Sequence, residues 1–173
     1  MGRKTLIFIV VLALFCLPLA GAGRMGVCAD TAVLQDAFLG KGSYQVMLDL
    51  RTMVSSEFQV RIPMSVVFSK TSYMFEVGVT LVCFPWETGP FMGISMFQIG
   101  MTGKCPDLEN LVNLNEVIVG WSFEFGPGLF VEPAVVIRDP SGTFSDEYSR
   151  IKGTFPCYTT FRGRLGFGWY FWR

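Results

Sequence analysis

The sequence of 173 residues contains no histidine. Histidine is the commonest general base, the partner of many serine and cysteine nucleophiles, and a ligand of most catalytic zinc sites. We therefore expect no catalysis, no cofactor and no metal site. A carboxylate pair such as Glu116 with Glu124 is the remaining catalytic hypothesis, and nearby arginines disfavour it because they would keep both carboxylates ionised.

Charge is also scarce and balanced. Only 16% of the residues are charged, and 14 Lys and Arg stand against 14 Asp and Glu. Because no stretch concentrates basic residues, the sequence has no electrostatic signature of a nucleic-acid partner.

Long apolar runs are missing after residue 22. The composition is 51% hydrophobic and the mean hydropathy is +0.44, which is high for a soluble protein. Every later apolar segment is interrupted by charge, Gly or Pro before the roughly 18 residues that a membrane-crossing helix needs. A closed β-barrel is the other architecture that satisfies all backbone hydrogen bonds in lipid.

Residues 1–22 have the pattern of a secretory signal peptide. Arg3 and Lys4 precede an apolar centre at 6–15, and small residues at 20–22 form a cleavage site. We expect residues 23–173 to be one exported domain. An uncleaved anchor helix is the alternative, and lipidation of Cys28 is disfavoured because Val27 is not a small residue.

The clearest strand lies at 159–171. Side chains alternate across a strand, so its residues divide into two faces. One face is apolar and aromatic, with Phe161, Gly163, Leu165, Phe167, Trp169 and Phe171; the other has Thr160, Arg162, Arg164, Gly166, Gly168 and Tyr170. A membrane barrel needs apolar residues outside, polar residues inside and aromatic residues at the interfaces. A soluble barrel would need the inverse.

Six further segments alternate in the same way, at 44–51, 58–68, 73–84, 91–101, 116–125 and 129–138. Short turns at 54–56, 85–90 and 126–128 separate longer loops at 69–72, 102–114 and 139–158, as in bacterial barrels. Pro63 predicts a local break, and 91–101 predicts a register shift. Because single-chain barrels have an even strand count, we expect an eighth strand within 27–39. The spacing of Val33, Leu34, Ala37 and Phe38 leaves a short helix there as the alternative.

The sequence thus predicts an all-β protein, an eight-stranded antiparallel up-and-down transmembrane β-barrel with a filled polar lumen. The inward-facing charges balance, with Asp49, Glu76, Glu116, Glu124 and Glu132 against Arg51, Arg61, Arg138, Arg162 and Arg164. Buried charges persist when they are paired. Because about eight strands enclose only enough space for side chains, we expect this lumen charge network to brace the wall.

The last segment also resembles the carboxy-terminal insertion signal of bacterial outer-membrane barrels, through Arg164, Gly166, Trp169 and Phe171. It departs from that signal because Trp172 and Arg173 follow the final aromatic. With the alternation over 43–172 and the aromatic strand, turn and strand at 120–133, the chain resembles the small eight-stranded outer-membrane barrels, which include OmpX-like, OmpW-like and OmpA transmembrane-domain-like proteins.

This resemblance implies a monomer in the bacterial outer membrane that contacts outer-membrane lipid and is inserted by the barrel-assembly machinery. The resemblance also implies that an enzyme is disfavoured, because barrel enzymes of similar size, such as acyltransferases and lipid A deacylases, depend on a catalytic histidine, which this chain lacks. We expect a structural, surface-exposed role, with an extracellular ligand bound through the outer loops. The surface loop that would carry it contains Phe144, Asp146, Glu147, Tyr148, Arg150 and Lys152. The alternative is an OmpW-like, porin-like narrow channel for small hydrophobic molecules, with Met92, Met96 and Met101 as lining or as lipid-facing residues.

Four cysteines remain after the signal peptide. Cys105 and Cys157 fall in the two longest outer loops, and an exported protein can form disulfides. A disulfide between Cys105 and Cys157 is therefore one hypothesis, and two free thiols are the other.

Overall fold

The computed structural model describes residues 23–40, 42–103 and 111–172. In these ranges the elements are β1 Met25–Asp30, α1 Ala32–Leu39, β2 Ser43–Met53, β3 Phe58–Ser69, β4 Tyr73–Cys83, β5 Gly89–Gly103, β6 Leu111–Asn113, β7 Glu116–Phe125, β8 Leu129–Arg138, α2 Ser145–Thr154 and β9 Phe161–Trp172. The predicted signal peptide at 1–22 lies outside the described residues. Neither α1 nor α2 has the length and apolar character of a membrane-crossing helix.

Eight strands close into an antiparallel barrel. Their order around the ring is β1, β2, β3, β4, β5, β7, β8 and β9. The ring closes where β9 pairs with β1, from Trp172 opposite Met25 to Gly166 opposite Asp30. The short β6 pairs with the far end of β5 beyond β7. The predicted eight-stranded all-β barrel is confirmed.

The ambiguous segment contains both a strand and a helix. β1 supplies the eighth strand and ends at Asp30, and α1 follows directly. Gly40 ends α1 in the left-handed conformation, with φ of 60°, which glycine adopts without steric cost.

Burial follows the predicted alternation, with the polar face inside. In β9 the Phe161 side chain is 67% exposed whereas its neighbour Arg162 is 6% exposed. In β2 the buried positions are Ser43, Gln45, Met47, Asp49 and Arg51. A strand has two faces only, so burying every charged position leaves the apolar positions on the outer surface.

The two predicted irregularities are present. Pro63 stays in register with Asp49 on β2, but the pairing of β3 with β4 is interrupted between Arg61 and Met64. Proline lacks the N–H that a ladder requires. In β5, Thr80 pairs with Ser95 and Val79 with Phe97, so Met96 is the extra residue of a β-bulge. This bulge transfers the outward face from the even to the odd positions.

The two ends of the barrel differ. Short turns at 54–57, 84–88 and 126–128 form one end, here called the turn end, together with the first and last described residues. Gly128 has φ of 110°, and a Cβ there would lie 2.6 Å from the Tyr170 carbonyl oxygen. The opposite end, the loop end, has α1, the 69–72 turn and the long connection containing α2.

Candidate functional site in the barrel lumen

The structure places the ten charged residues of the predicted network on the inner face. Seven are nearly inaccessible: Asp49, Arg51, Arg61, Glu76, Glu132, Arg138 and Arg162. The side chains of Glu116 and Arg164 are 13% and 10% exposed. Glu124 lies apart at the turn end, where its 35% exposed carboxylate pairs with Arg24.

Glu132 is the centre of the first cluster. Its carboxylate lies 2.9 Å from Arg51 Nη1 and 3.1 Å from Arg61 Nη1. Arg51 also contacts Asp49 at 3.2 Å. Two arginines and two carboxylates therefore neutralise one another in the buried interior of the barrel.

Arg138 organises a second cluster nearer the loop end. It donates to Glu116 at 2.8 Å and to Gln45 Oε1 at 2.9 Å. The Gln45 amide in turn donates to Glu76 Oε2 at 3.1 Å, and Ser65 Oγ donates to the same oxygen. Neutral donors thus connect Glu76 to the charged groups.

Two acids that the strand pattern did not identify complete the network. Arg164 pairs with Asp30 and also lies 3.4 Å from Asp49, and Arg162 pairs with Asp36 at 2.8 Å. Asp30 and Asp36 lie at the end of β1 and in α1, where the alternation of a single strand gives no facing. The sequence did contain a signal for them: Arg162 and Arg164 face inward and need acidic partners, and the segment 27–39, whose structure the alternation left open, contains Asp30 and Asp36.

Aromatic rings cover the guanidinium groups. Arg51 lies over Phe130 and Arg61 over Phe91, both at 4.5 Å from the ring centroid. Arg138 lies 3.7 Å from the Tyr158 centroid. A guanidinium over an aromatic face is stabilised electrostatically, and its flat shape allows it to stack closely on the ring. The charged layer is therefore continuous with apolar layers on both sides.

The apolar layer at the loop end is a plug formed by α2 and the residues after it. Its buried members are Tyr148, Ile151, Phe155, Cys157 and Tyr158, and they pack against Val67, Met74, Val112 and Leu114 of the surrounding barrel. The Tyr148 hydroxyl donates to the Asn115 carbonyl at 2.7 Å, and the Asn115 N–H donates to that hydroxyl at 3.1 Å. Burial raises the pKa of Tyr148 and Tyr158.

This plug changes the interpretation of the predicted surface loop. Tyr148 is 3% exposed, so its side chain is not free to contact a partner, and Phe144 is half-buried against the plug. Asp146, Arg150 and Lys152 are exposed and Glu147 is half-buried. Helical periodicity divides this segment into a buried and a solvated face.

The lumen contains little free volume. A cavity of about 20 Å³ lies among Met47, Asp49, Arg61, Pro63, Thr80, Glu116, Ile118 and Arg164, room for about one water molecule. At the turn end a vestibule of about 920 Å³ is bordered by the Arg24–Glu124 pair, Trp86 and Tyr170. Met92, Met96 and Met101 are exposed on the outer surface, so they do not line the lumen.

No protein-family model, curated protein or solved structure matches the chain. Among the described residues no group of three His, Cys, Asp or Glu side chains could hold a metal ion. The fold and the lumen geometry are therefore the observations that bear on function.

The residues of the proposed insertion signal divide between the two faces. Arg164 and Gly166 face the lumen, and Trp169 and Phe171 are 53% and 54% exposed on the outer surface. The Trp169 indole N–H donates to the Pro127 carbonyl at 3.3 Å. This bond ties the last strand to the β7–β8 turn.

Cys28, Cys83 and Cys157 are free thiols in the described part of the chain. Cys157 is 1% exposed within the plug, and burial raises its pKa. Cys105 lies outside the described residues, so the disulfide between Cys105 and Cys157 stays a prediction.

Proposed function

We propose that the protein is an integral bacterial outer-membrane β-barrel with a structural, surface-exposed role and no catalysis. One observation carries the proposal: the barrel exposes its large apolar side chains and buries its charges. Around β7, β8 and β9 the exposed members are Trp121, Phe123, Phe125, Leu129, Val135, Phe161, Phe167, Trp169 and Phe171, here called the apolar belt. Soluble monomers rarely expose a contiguous apolar patch above a few hundred Å².

The closed ring of strands also supports a membrane location. In hydrocarbon each unsatisfied backbone polar group costs several kcal/mol, so a spanning sheet must have no open edge. β1 pairs with β9 from Gly166 to Trp172 and with β2 from Leu48 to Thr52, so it covers most of the two edges that an open sheet would keep. Outer-membrane lipid is then the main partner, the barrel-assembly machinery inserts the chain, and we expect a monomer.

Contact with other molecules would occur at the loop end. The plug leaves the charged outer face of α2 in solvent, with Asp146, Arg150 and Lys152 exposed. Side chains of both signs in one short helix suit a polar extracellular ligand or partner surface better than an apolar one. The turn end, with its short connections, would face the periplasm.

The alternative, a narrow channel for small hydrophobic molecules, has one supporting observation, the vestibule at the turn end. Between this vestibule and the loop end, the lumen is filled by the charged layer and the plug. Reconstitution in planar bilayers separates the two functions, because the structural role predicts no steady conductance and no solute uptake by liposomes. Either signal would favour the channel.

Detergent-phase partition combined with heat-modifiable gel migration tests the membrane barrel directly. We expect the protein lacking residues 1–22 to enter the Triton X-114 phase and to migrate faster unboiled than boiled. The boiled sample is the matched control for migration. Recovery in the aqueous phase, without added denaturant and with one band under both conditions, would refute the proposal.

A further inference from the structure

The barrel wall is incomplete as a sheet between β2 and β9. β1 pairs with β2 only from Leu48 to Thr52, and with β9 only from Gly166 to Trp172. β2 continues to Ser43 and β9 begins at Phe161, so each strand extends about five residues beyond β1 toward the loop end. α1 lies in this gap.

α1 is attached to both strands through its polar side. Asp36 is 2% exposed, and its Oδ2 accepts from the Gln45 backbone N–H at 2.9 Å and from Arg162 at 2.8 Å. The Thr31 N–H donates to the Leu165 carbonyl at 3.1 Å. These bonds satisfy the Gln45 N–H and the Leu165 carbonyl, two backbone groups that a missing strand would otherwise leave open.

The opposite side of α1 is apolar and exposed. At 3.6 residues per turn, Leu34 and Phe38 lie roughly 160° around the helix from Asp36. Since Asp36 faces the inward guanidinium of Arg162, these two side chains face away from the barrel axis. Leu34 is 60% exposed and Phe38 95%.

This is the inverse of a helix that covers a core in water, where the apolar face is buried and the polar face is solvated. The exposed face of α1 also continues the outer surface of the two strands beside it. Val46 on β2 is 48% exposed and Phe161 on β9 is 67% exposed. One apolar surface therefore crosses from strand to helix to strand.

We propose that α1 is a lipid-facing section of the barrel wall, and that Leu34 and Phe38 contact acyl chains of the leaflet at the loop end. The occupant follows from continuity with the apolar surface of β2 and β9, and the inference rests on the proposed membrane location. A helix can serve here because α1 leaves few backbone groups open: its last-turn N–H groups bond within the helix, and its first-turn N–H groups bond to Asp30 Oδ1 from Ala32 and to the Thr31 carbonyl from Leu34 and Gln35.

Carbene labelling in liposomes tests the inference. The protein lacking residues 1–22 is refolded into phosphatidylcholine vesicles containing a lipid with a diazirine in one acyl chain, photolysed, digested and mapped by mass spectrometry. We expect adducts on peptides of the apolar belt and, at comparable yield, on Leu34 and Phe38. Peptides of α2, which carry exposed Asp146 and Lys152, are the internal control and should stay unlabelled.

The outcomes separate the two levels of the proposal. A labelled belt with an unlabelled α1 overturns this inference and leaves the membrane barrel standing, whereas no labelling of either refutes the proposed function. If α1 is protected and a crosslinker joins two copies through it, a second copy is the occupant and the inference is wrong. In the variant L34S/F38S, adducts should disappear from α1 and persist on the belt, and equal α1 labelling would contradict side-chain contact.

Discussion

Arg61 and Glu132 meet across the full width of the barrel. Arg61 lies on β3 and Glu132 on β8, which are four strands apart in a ring of eight. Two contacts join them, Nη1 to Oε2 at 3.1 Å and Nη2 to Oε1 at 3.2 Å. The two ends of this pair are anchored in opposite walls, so it resists ovalisation of the barrel in a way that neighbouring-strand pairs do not.

We expect Arg61→Met to destabilise the barrel by about 3 kcal/mol, because it removes one of the two guanidinium groups that hold the buried Glu132 and leaves Arg51 shared between Glu132 and Asp49. The variant R61M/E132Q should lose less than the sum of the single losses, since the two side chains act together. Urea unfolding in detergent micelles or vesicles, followed by tryptophan fluorescence, measures each free energy of unfolding.

The exposed Arg24–Glu124 pair at the turn end is the matched control. Its side chains are 32% and 35% exposed, so Arg24→Gln should cost at most about 1 kcal/mol. Equal losses for Arg24→Gln and Arg61→Met would contradict the bracing role of the lumen network.

Arg162 and Arg164 should have different local effects although they lie two residues apart. Arg162 holds Asp36, the Ala32 carbonyl and the Cys157 carbonyl, whereas Arg164 holds Asp30 and Asp49. Arg162→Ala should therefore speed amide exchange in α1 and at Cys157. Arg164→Ala should leave the exchange of α1 close to that of the unmodified protein.

Hydrogen-exchange mass spectrometry on the folded protein distinguishes the two variants. The double variant R162A/R164A should also lower the temperature at which the fast-migrating band disappears. An unchanged temperature would count against any structural role for these arginines.

The plug should lose stability in alkali. The neutral forms of Tyr148 and Tyr158 are buried and their pKa values are raised, whereas an unfolded tyrosine has a pKa of about 10. Their contribution to the free energy of unfolding is therefore complete below about pH 10. Above that pH it falls by up to about 1.4 kcal/mol for each tyrosine and each pH unit.

Tyr158→Phe is the variant that checks this pH dependence. It keeps the ring over the Arg138 guanidinium and removes the ionisable hydroxyl, so the loss of stability above pH 10 should become shallower. Unfolding is measured from pH 8 to pH 11, with tyrosinate absorbance at 295 nm as a second signal. If stability falls equally steeply with pH in both proteins, Tyr158 is not a source of the loss in alkali.

Cys157 should resist alkylation in the folded protein and react after unfolding, because its thiol is buried and held protonated. Iodoacetamide labelling at pH 8, with and without denaturant, measures this difference. The predicted disulfide is tested in the same samples without reductant: a peptide linking Cys105 to Cys157 would confirm it, and alkylation of both would exclude it.

Much of the fold could be predicted because a strand has only two faces. The period of two in 116–125, 129–138 and 159–171 assigned Trp121 outward and Arg162 inward without any knowledge of their neighbours. Pro63 and the change of face within β5 were also predictable, since each is a local property of the backbone.

The site could be predicted only in part. Which side chains face inward follows from the alternation, but which carboxylate pairs with which guanidinium depends on barrel stagger and ring order. The prediction that Tyr148 is a surface residue is wrong: α2 places Tyr148 and Ile151 on its buried face, and the polar composition of the 139–158 loop does not indicate that face.

The sequence by itself determined a barrel with an apolar outer surface and a charged lumen, because apolar and charged residues alternate along each strand and a strand has only two faces. Only the tertiary structure decided that Asp36 closes the wall between β2 and β9, that Arg61 reaches Glu132, and that Tyr148 fills the loop end. Arg61 and Glu132 are 71 positions apart in the sequence, and Asp36 and Arg162 are 126 positions apart. The position of Tyr148 depends on how α2 packs against the barrel. A local sequence pattern specifies neither a long-range pair nor the placement of a helix.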